Sequence, residues 1–162
     1  VIAASVILKR PIKGLMDSKR LSSKKREDLS KIIIKNSIFA IGAADNQEID
    51  QINILQASLL AMQRSLEKLD MQPKKVLVDG NHIFETSTEI EAIVGGDNLI
   101  PSISAASIVA KVFRDRLMMA YSKEFPNYGF DKHKGYPTKL HKEMLKKYGL
   151  TRIHRRTFKG VS

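Results

Sequence analysis

Two aspartates in this sequence follow short apolar runs, and both have side chains suited to acid or metal chemistry. Asp79 comes directly after residues 76–78, and Asp97 follows residues 93–94 through two glycines. Ligands of open α/β sheets bind at the edge where strands end, and carboxylate oxygens are the hard ligands that Mg²⁺ takes. Two aspartates at strand ends could therefore share one divalent cation. Asp-Gly and Gly-Asp are also ordinary turn pairs, so a turn role is the simpler alternative for either aspartate.

The other candidates for acid, base or metal chemistry have simpler interpretations. Asp115 lies four residues after Lys111 on a predicted helix and between two arginines, which favours an ion pair over metal ligation. The spacing of the four histidines forms no metal-binding pair; they are His82, His133, His141 and His154. His82 is close to Asp79 and could orient a phosphate or a water molecule, or remain a solvated loop side chain.

A segment at 125–136 mixes aromatic, basic and glycine residues in the manner of a nucleic-acid contact. Aromatic rings stack on sugars or bases, while Lys132 and Lys134 could reach phosphates. Three of its aromatic residues are expected to pack into the core, namely Phe125, Tyr128 and Phe130. Tyr136 lies between a glycine and a proline, where a compact turn could present its ring to substrate.

The charge of the chain is strongly basic and unevenly distributed. Its 28 Lys and Arg exceed 17 Asp and Glu, for a net charge of +11. Basic residues dominate 1–35 and 111–162, whereas acidic residues dominate 36–110. Basic surfaces around clustered carboxylates are typical of a metal-dependent nuclease, because lysines hold phosphates and carboxylates hold the metal ions. Uneven use of lysine on a solvated surface gives the same pattern. Near the C-terminus, a basic cluster consists of Arg152, His154, Arg155 and Arg156. These side chains could contact backbone phosphates or remain solvated.

Length and composition favour one globular domain over residues 1–162. The sequence is 43% hydrophobic and 28% charged with only 9 glycines and 5 prolines, unlike a disordered basic tail. The absence of cysteine excludes a disulfide framework and a thiolate metal site. We find no secretory signal and no apolar stretch long enough to span a bilayer, so a cytoplasmic protein is expected.

Alternating strands and helices must position these residues. We predict strands at 1–8, 37–44, 75–79 and 90–94. We predict helices from Ser22 or Ser23 to about Lys35, over a long segment that ends before Pro73, from Pro101 to about Tyr121, and over about 138–148. The expected buried stripes are Leu29, Ile32 and Ile33 on the first helix, and Ile52, Leu55, Leu59, Met62, Leu66 and Leu69 on the second. The alternation predicts an α/β fold with a central mixed sheet flanked by helices.

Six motifs occur in the order and spacing of one enzyme family. They are Asp-Ser-Lys-Arg-Leu at 17–21, Asn-Ile-Leu-Gln-Ala at 53–57, Val-Leu-Val-Asp-Gly-Asn at 76–81, Gly-Asp at 96–97, Ser-Ile-Ser-Ala-Ala-Ser-Ile-Val-Ala-Lys-Val at 102–112 and His-Lys-Gly-Tyr at 133–136. Over essentially its whole length the chain resembles bacterial ribonuclease HII. The resemblance implies a ribonuclease H-like fold and an endonuclease, dependent on Mg²⁺ or Mn²⁺, that cuts the RNA strand of RNA–DNA hybrids.

The same resemblance implies further properties of the substrate and the site. Such enzymes also cut on the 5′ side of a single ribonucleotide embedded in duplex DNA, as in ribonucleotide excision repair, and leave 3′-hydroxyl and 5′-phosphate ends. Asp79 and Asp97 match two of four catalytic metal-site carboxylates. Lys19 matches a phosphate contact, and Tyr136 matches the tyrosine that packs at the RNA-to-DNA junction. Asn81 and Lys134 complete the expected substrate-binding residues, and we expect a monomer.

The sequence departs from the family at its N-terminal side. Family members open with a central strand carrying Asp-Glu-Val-Gly-Arg-Gly, which supplies the other two carboxylates and the backbone that contacts the ribose 2′-hydroxyl. That motif does not occur here, and no acidic residue precedes Asp17. We therefore expect an N-terminally incomplete domain whose complete form is the nuclease. The alternatives are a catalytically inactive nucleic-acid-binding fragment and a non-enzymatic ribosomal or architectural protein, for which the charge would suffice.

Overall fold

The structure is a computed structural model that describes residues 1–15 and 21–158. The first five elements are β1 (Ile2–Leu8), α1 (Ser23–Lys35), β2 (Ser37–Ala43), α2 (Asn46–Glu67) and β3 (Lys75–Asp79). They are followed by β4 (Glu89–Ile93), α3 (Gly96–Leu99), α4 (Pro101–Glu124), α5 (Phe130–His133) and α6 (Lys139–Tyr148). The predicted strands and longer helices are confirmed with small shifts at their ends, whereas the four-residue helices α3 and α5 were not predicted.

The four strands of the described residues form two ladders. Strand β1 pairs antiparallel with β2, with Ile2 opposite Ala43. Strand β3 pairs in parallel with β4, with Asp79 opposite Ile93. Strands β1 and β3 are not hydrogen-bonded to each other, so within the described chain each keeps one open edge. The predicted α/β class is confirmed, and the strands of the expected central sheet lie in two separate ladders.

A cavity of roughly 580 Å³ separates the two ladders, and we call it the inter-ladder groove. Every residue of β1 and of β3 lines it, Asp79 included. Side chains of α2 and of the first half of α4 form its other walls, among them Met62, Leu66, Ile103 and Ala106. Most of these lining side chains are apolar, so the open edges of β1 and β3 face a shared apolar space.

Helix α4 organises the core on the side of β1. It begins at Pro101, the residue best suited to a first helical position because its missing N–H has no partner there. Three of its residues are completely buried against Leu15 and Ile33, namely Ala105, Ile108 and Val109. No helix in residues 1–15 and 21–158 is long and apolar enough to cross a membrane.

Two residues predicted to be buried are exposed. The exposed fraction of Ile32 is 49%, because Ser30 and Ile33 form the buried face of α1 and Ile32 points about 100° away from Ile33. The exposed fraction of Leu55 is 40%. Helix α2 is kinked at Asn53, whose φ of 67° lies outside the helical region, so the apolar stripe does not continue in phase through the kink.

Candidate functional site

Asp79 lies at the carboxyl end of β3, at the edge of the parallel ladder. Val78 before it is buried, whereas the Asp79 side chain is exposed. The chain then turns at Gly80, which donates its N–H to the Ile93 carbonyl at 3.0 Å and has a φ of 119°. Glycine adopts that φ readily because it lacks a Cβ atom. The strand therefore presents a carboxylate at the edge where ligands of such sheets bind.

Asp97 lies in the first turn of α3, and only 3% of it is exposed. Strand β4 leads into this helix through Val94 and Gly95, and α3 packs against β3. The structure therefore brings Asp97 to the same end of the ladder as Asp79. A buried carboxylate requires hydrogen bonds or a compensating cation, and the hydrogen bonds of Asp97 include donation from Asn98 Nδ2 to its Oδ1 at 2.9 Å.

The two aspartates fit a hard divalent cation by ligand type. Carboxylate oxygens suit Mg²⁺ and Mn²⁺, and Mg²⁺ commonly binds through one or two protein carboxylates with water and substrate oxygens as its remaining ligands. In residues 1–15 and 21–158, no group of three or more Asp, Glu or His side chains is arranged to hold a metal ion. The ligand type therefore fits, and among the described residues the candidate site consists of Asp79 and Asp97.

The other predicted residues near this edge have different surroundings. Asn81 and His82 are both exposed in the loop after β3, beside Asp79, and the exposure of His82 fits a solvated loop side chain. Lys19 lies outside the described residues. Asp115 forms the predicted ion pair, with Arg114 at 2.7 Å and with Arg26 at 3.6 Å, and it takes no part in the candidate metal site.

Tyr136 is presented on a tight turn after α5. Its exposed fraction is 58%, as the sequence predicted, and its hydroxyl accepts a hydrogen bond from Arg114 Nη1 at 3.1 Å. The Arg114 guanidinium also lies 5.6 Å from the centre of the ring. The turn is made by Lys134 and Gly135, with φ values of 52° and 84°. Sequence reasoning missed Arg114 at this position, because α4 and the turn are far apart in the chain.

The remaining aromatic residues of this region pack as predicted. The exposed fractions of Tyr128 and Phe130 are 6% and 2%, and their rings stack with centres 5.5 Å apart. Phe125 meets both rings edge-on at 6.4 Å. These three side chains therefore hold the segment to the core and leave Tyr136 as its exposed ring.

Three histidines meet beneath the turn, although their spacing gave no indication of a cluster. His133, His141 and His154 each have an exposed fraction of 6%. The rings of His133 and His141 stack with centres 4.3 Å apart, and the Nε2 atoms of His141 and His154 are 3.2 Å apart. One sequence signal existed: His141 lies on the apolar face of a lysine-rich helix, with Leu145 four residues later.

The residues of the C-terminal basic cluster differ in burial and in their partners. Burial and the neighbouring His141 lower the pKa of His154 to about 4, so this histidine is neutral near pH 7. Arg152 is exposed and pairs with Glu124 at 2.7 Å. Arg155 is half-buried, with its guanidinium 3.6 Å from the centre of the Phe158 ring, and burial lowers its pKa. These three side chains therefore lie in different environments, and phosphate contact by the cluster stays a prediction.

Comparison with known proteins identifies close relatives. Residues 1–161 match the family model described as Ribonuclease HII. The chain is 52% identical over 165 residues to Ribonuclease HII of Pelagibacter ubique, a match that covers 100% of this chain and 89% of the relative. It is also 52% identical over 164 residues to Ribonuclease HII of Coxiella burnetii, covering 99% of this chain and 81% of the relative.

Solved structures resemble the described fold. The PCNA:RNase HII complex from Archaeoglobus fulgidus matches with a TM-score of 0.80 and 23% identity, over 99% of this chain and 87% of that chain. Bst-RNase HIII in complex with Mn²⁺ matches with a TM-score of 0.64 and 13% identity, over 91% of this chain and 56% of that chain. These likenesses concern the fold, and they confirm the predicted ribonuclease H-like architecture.

Proposed function

The chain belongs to the ribonuclease HII family, and we propose that it cleaves the RNA strand of RNA–DNA hybrids at a divalent metal site built on Asp79 and Asp97. It is a ribonuclease H, a hydrolase that acts as an endonuclease. We further propose that it cuts on the 5′ side of single ribonucleotides in duplex DNA and leaves 3′-hydroxyl and 5′-phosphate ends. Incision of that kind opens ribonucleotide excision repair, and we propose that it takes place in the cytoplasm and requires only a monomer.

The observation that carries this proposal is the position of two carboxylates at one edge of the β3–β4 ladder. Asp79 extends from the end of β3, while Asp97 is held by α3 with an exposed fraction of 3%. A buried carboxylate and an exposed one at the same end of the ladder support the binding of a hard cation at which a phosphate can also dock. We propose Mg²⁺ or Mn²⁺, which would supply charge stabilisation for in-line attack of water on the phosphodiester.

We propose that nucleic acid approaches this edge across the turn that carries Tyr136. The exposed ring offers a face for stacking on a base or sugar, and Arg114 beside it offers a cation for a phosphate. Lys134 lies on the same turn. We retain Lys19 and Asn81 as proposed substrate contacts, Lys19 by resemblance to the family and Asn81 because its loop continues from Asp79. These groups would position the scissile phosphate without taking part in bond cleavage.

We propose that the inter-ladder groove receives the additional strand predicted from the family resemblance. The open edges of β1 and β3 carry backbone N–H and C=O groups suited to strand pairing, and the groove between them is mostly apolar. Pairing with both edges would join the two ladders into one mixed sheet. Because Asp79 also lines the groove, carboxylates on such a strand would lie close to the candidate metal site.

Cleavage of labelled duplexes tests the proposal. The substrates are a uniform RNA–DNA hybrid and a DNA duplex with one ribonucleotide, each with Mg²⁺, with Mn²⁺ or with EDTA. The 162-residue chain is compared with the same chain preceded by a strand carrying Asp-Glu-Val-Gly-Arg-Gly. We expect metal-dependent cleavage by the longer chain and its loss in Asp79→Asn and Asp97→Asn, whereas Asp70→Asn, which changes an exposed aspartate outside the site, retains it. Undiminished cleavage by either site variant refutes the proposed site.

Cleavage by the shorter chain alone would exclude the inactive-fragment alternative. Nucleic-acid binding without cleavage by the shorter chain, together with cleavage by the longer one, would favour that alternative for the 162-residue chain. Binding without cleavage by either chain, in the presence of either metal, would favour the non-enzymatic alternative. A salt titration of binding does not distinguish these cases, because any basic protein loses affinity for a polyanion as salt increases.

A further inference from the structure

The turn that presents Tyr136 is hydrogen-bonded from below by two imidazole rings. His133 Nδ1 accepts a hydrogen bond from the Gly135 backbone N–H at 3.1 Å. His141 Nδ1 lies 3.0 Å from the Tyr136 carbonyl oxygen, which can only accept, so His141 donates there. One backbone group on each side of the Tyr136 side chain is therefore bonded to a histidine.

The Tyr136 carbonyl fixes the tautomer of His141, and His154 completes the hydrogen bonding of that ring. Because His141 Nδ1 carries a hydrogen, its neutral ring must accept at Nε2, and His154 Nε2 is 3.2 Å away. His154 Nδ1 accepts from the Thr151 backbone N–H at 2.9 Å, which leaves the hydrogen of a neutral His154 on Nε2. One arrangement of hydrogens satisfies every hydrogen bond in the series from the Thr151 N–H through His154 and His141 to the Tyr136 carbonyl.

Packing holds the rings in place. His133 and His141 stack with an interplanar angle of 12°, and both meet the buried Phe130 ring edge-on at 5.6 Å. Lys134 in the turn has a φ of 52°, a left-handed conformation that is unfavourable for a residue with a Cβ atom. The turn therefore depends on the contacts beneath it, and the histidines supply hydrogen bonds at both of its ends.

We propose that His133, His141 and His154 act as one positioning unit that fixes the backbone under Tyr136, and that His141 sets the orientation of Tyr136 toward a ribonucleotide-containing duplex. The nucleic-acid part of this inference rests on the proposed function. His141 is a positioning residue, because it is buried and acts through the Tyr136 carbonyl without touching the substrate.

Metal binding and proton transfer fit this cluster less well. The hydrogen-bond network uses the ring nitrogens of all three histidines, so none has a lone pair to spare for a cation. In residues 1–15 and 21–158, no three His, Asp or Glu side chains are arranged to hold a metal ion, and this includes the three histidines. Their burial separates them from a substrate bound on the exposed face of the turn.

Two substitutions at His141 distinguish the effect of its hydrogen bond to the Tyr136 carbonyl from the effect of its flat ring. His141→Phe keeps a flat ring for stacking but removes the donation to the Tyr136 carbonyl. His141→Asn places an amide nitrogen near the position of Nδ1 and can retain that donation, although it loses the contact with His154. A third variant, His154→Asn, retains an acceptor for the Thr151 N–H but removes the donor to His141.

Binding without cleavage provides the functional measurement. Fluorescence anisotropy in EDTA, with the chain preceded by the strand carrying Asp-Glu-Val-Gly-Arg-Gly, gives the Kd for a DNA duplex with one ribonucleotide and for the same duplex in all-DNA form. We expect His141→Phe to reduce the preference for the ribonucleotide several-fold, toward the value of Tyr136→Ala, and His141→Asn and His154→Asn to reduce it less. Adding Tyr136→Ala to His141→Phe should cause no further loss. A wild-type preference in His141→Phe overturns the inference.

Amide hydrogen exchange tests the positioning separately from the function. We expect the Gly135 and Tyr136 amides to exchange faster in His141→Phe than in the wild type, with exchange in the distant strands β3 and β4 unchanged. Unchanged exchange at both turn amides overturns the inference, whatever the binding result. If that longer chain, with residues 1–162 unchanged, shows no preference between the two duplexes, the proposed function fails, and faster turn exchange still supports the positioning unit. If His141→Phe does not fold, His154→Asn provides both measurements.

Discussion

Gly42 of β2 lies directly against the Ala61 carbonyl group of α2, with no space for a side chain between them. A Cβ atom added to Gly42 would overlap the Ala61 oxygen and would lie 2.6 Å from the Ser65 backbone nitrogen. The side chains of α2 that face β2 are small and fully buried, and they are Ala57, Ala61 and Ser65. Their spacing of four residues places them on one face of the helix. Helix α2 can therefore pack onto β2 with backbone nearly touching backbone.

Gly42→Ala should destabilise the fold by about 1–3 kcal/mol, because the added methyl group meets rigid backbone and forces the helix away from the strand. Urea denaturation measures the free energy of unfolding. The neighbouring Ala43 is exposed, so Ala43→Ser is a matched control that should change stability by less than about 0.5 kcal/mol. Equal stabilities of Gly42→Ala and the wild type would contradict the close packing.

Divalent cations should raise the melting temperature of the wild-type chain, because a ligand that binds only the folded state stabilises it. At a cation concentration 100 times the Kd, the gain is about 2.7 kcal/mol. Asp97→Asn and Asp79→Asn should lose most of this gain, since each removes a proposed ligand, whereas Asp70→Asn should retain it. Thermal melts with and without Mg²⁺ or Mn²⁺ measure the effect. A full cation response in Asp97→Asn would count against its place in the site.

Arg114→Gln should weaken binding of nucleic acid and reduce its dependence on salt. The substitution removes the cation beside the exposed Tyr136 ring, and loss of one phosphate contact lowers the slope of log K against log salt by about 1. Lys68→Gln removes an equal charge from an exposed position after α2 and is the matched control. The slope is obtained from anisotropy titrations at several salt concentrations, and identical slopes for the two variants would contradict the predicted contact.

The chain should lose stability as the pH falls from about 6.5 towards 4. The folded state lowers the pKa of His154 from 6.5 to about 4, chiefly through burial and then through His141, and the same burial lowers the pKa of His141. Between these pH values the unfolded chain binds protons that the folded chain does not, so acid favours unfolding. The contribution is fully present above pH 6.5.

Urea midpoints at pH 7.5, 6 and 5 measure this dependence. The nearby charges that act on the pair are His133 and the Arg155 guanidinium, and both further oppose protonation. His154→Asn removes the titrating group, so its stability should depend less on pH across this range. A variant with the same pH dependence as the wild type would show that other groups are responsible.

Local sequence patterns predicted most of the strands and longer helices, and they predicted that Asp79 and Asp97 follow the ends of strands. Apolar runs that end in Asp79 or lead through glycines to Asp97 indicate strand ends, and strand ends in parallel ladders meet at one edge. The ion pair of Asp115 could also be predicted, because its partner Arg114 is adjacent on the helix. Helix α3 could not, since four residues are too few to show helical periodicity.

Other features depend on contacts between distant parts of the chain. Leu55 was predicted to be buried, and the prediction was wrong because Asn53 interrupts the helix. The Asn53 Oδ1 accepts hydrogen bonds from the Leu55 and Gln56 backbone N–H groups at 3.0 and 3.1 Å. The sequence pattern contains no breaker such as proline at that point. The histidine cluster joins two helices and the segment after α6, and no local periodicity connects His133 with His154.

The inter-ladder groove has a consequence for how the chain behaves in concentrated solution. An unpaired strand edge is a template for pairing with another polypeptide, and among residues 1–15 and 21–158 both β1 and β3 present such an edge to one apolar space. Intermolecular β-pairing at these edges should make association of the 162-residue chain grow with protein concentration. The additional strand proposed for this groove would pair with both edges and remove both templates at once. The same strand would then complete the sheet and keep the chain from associating.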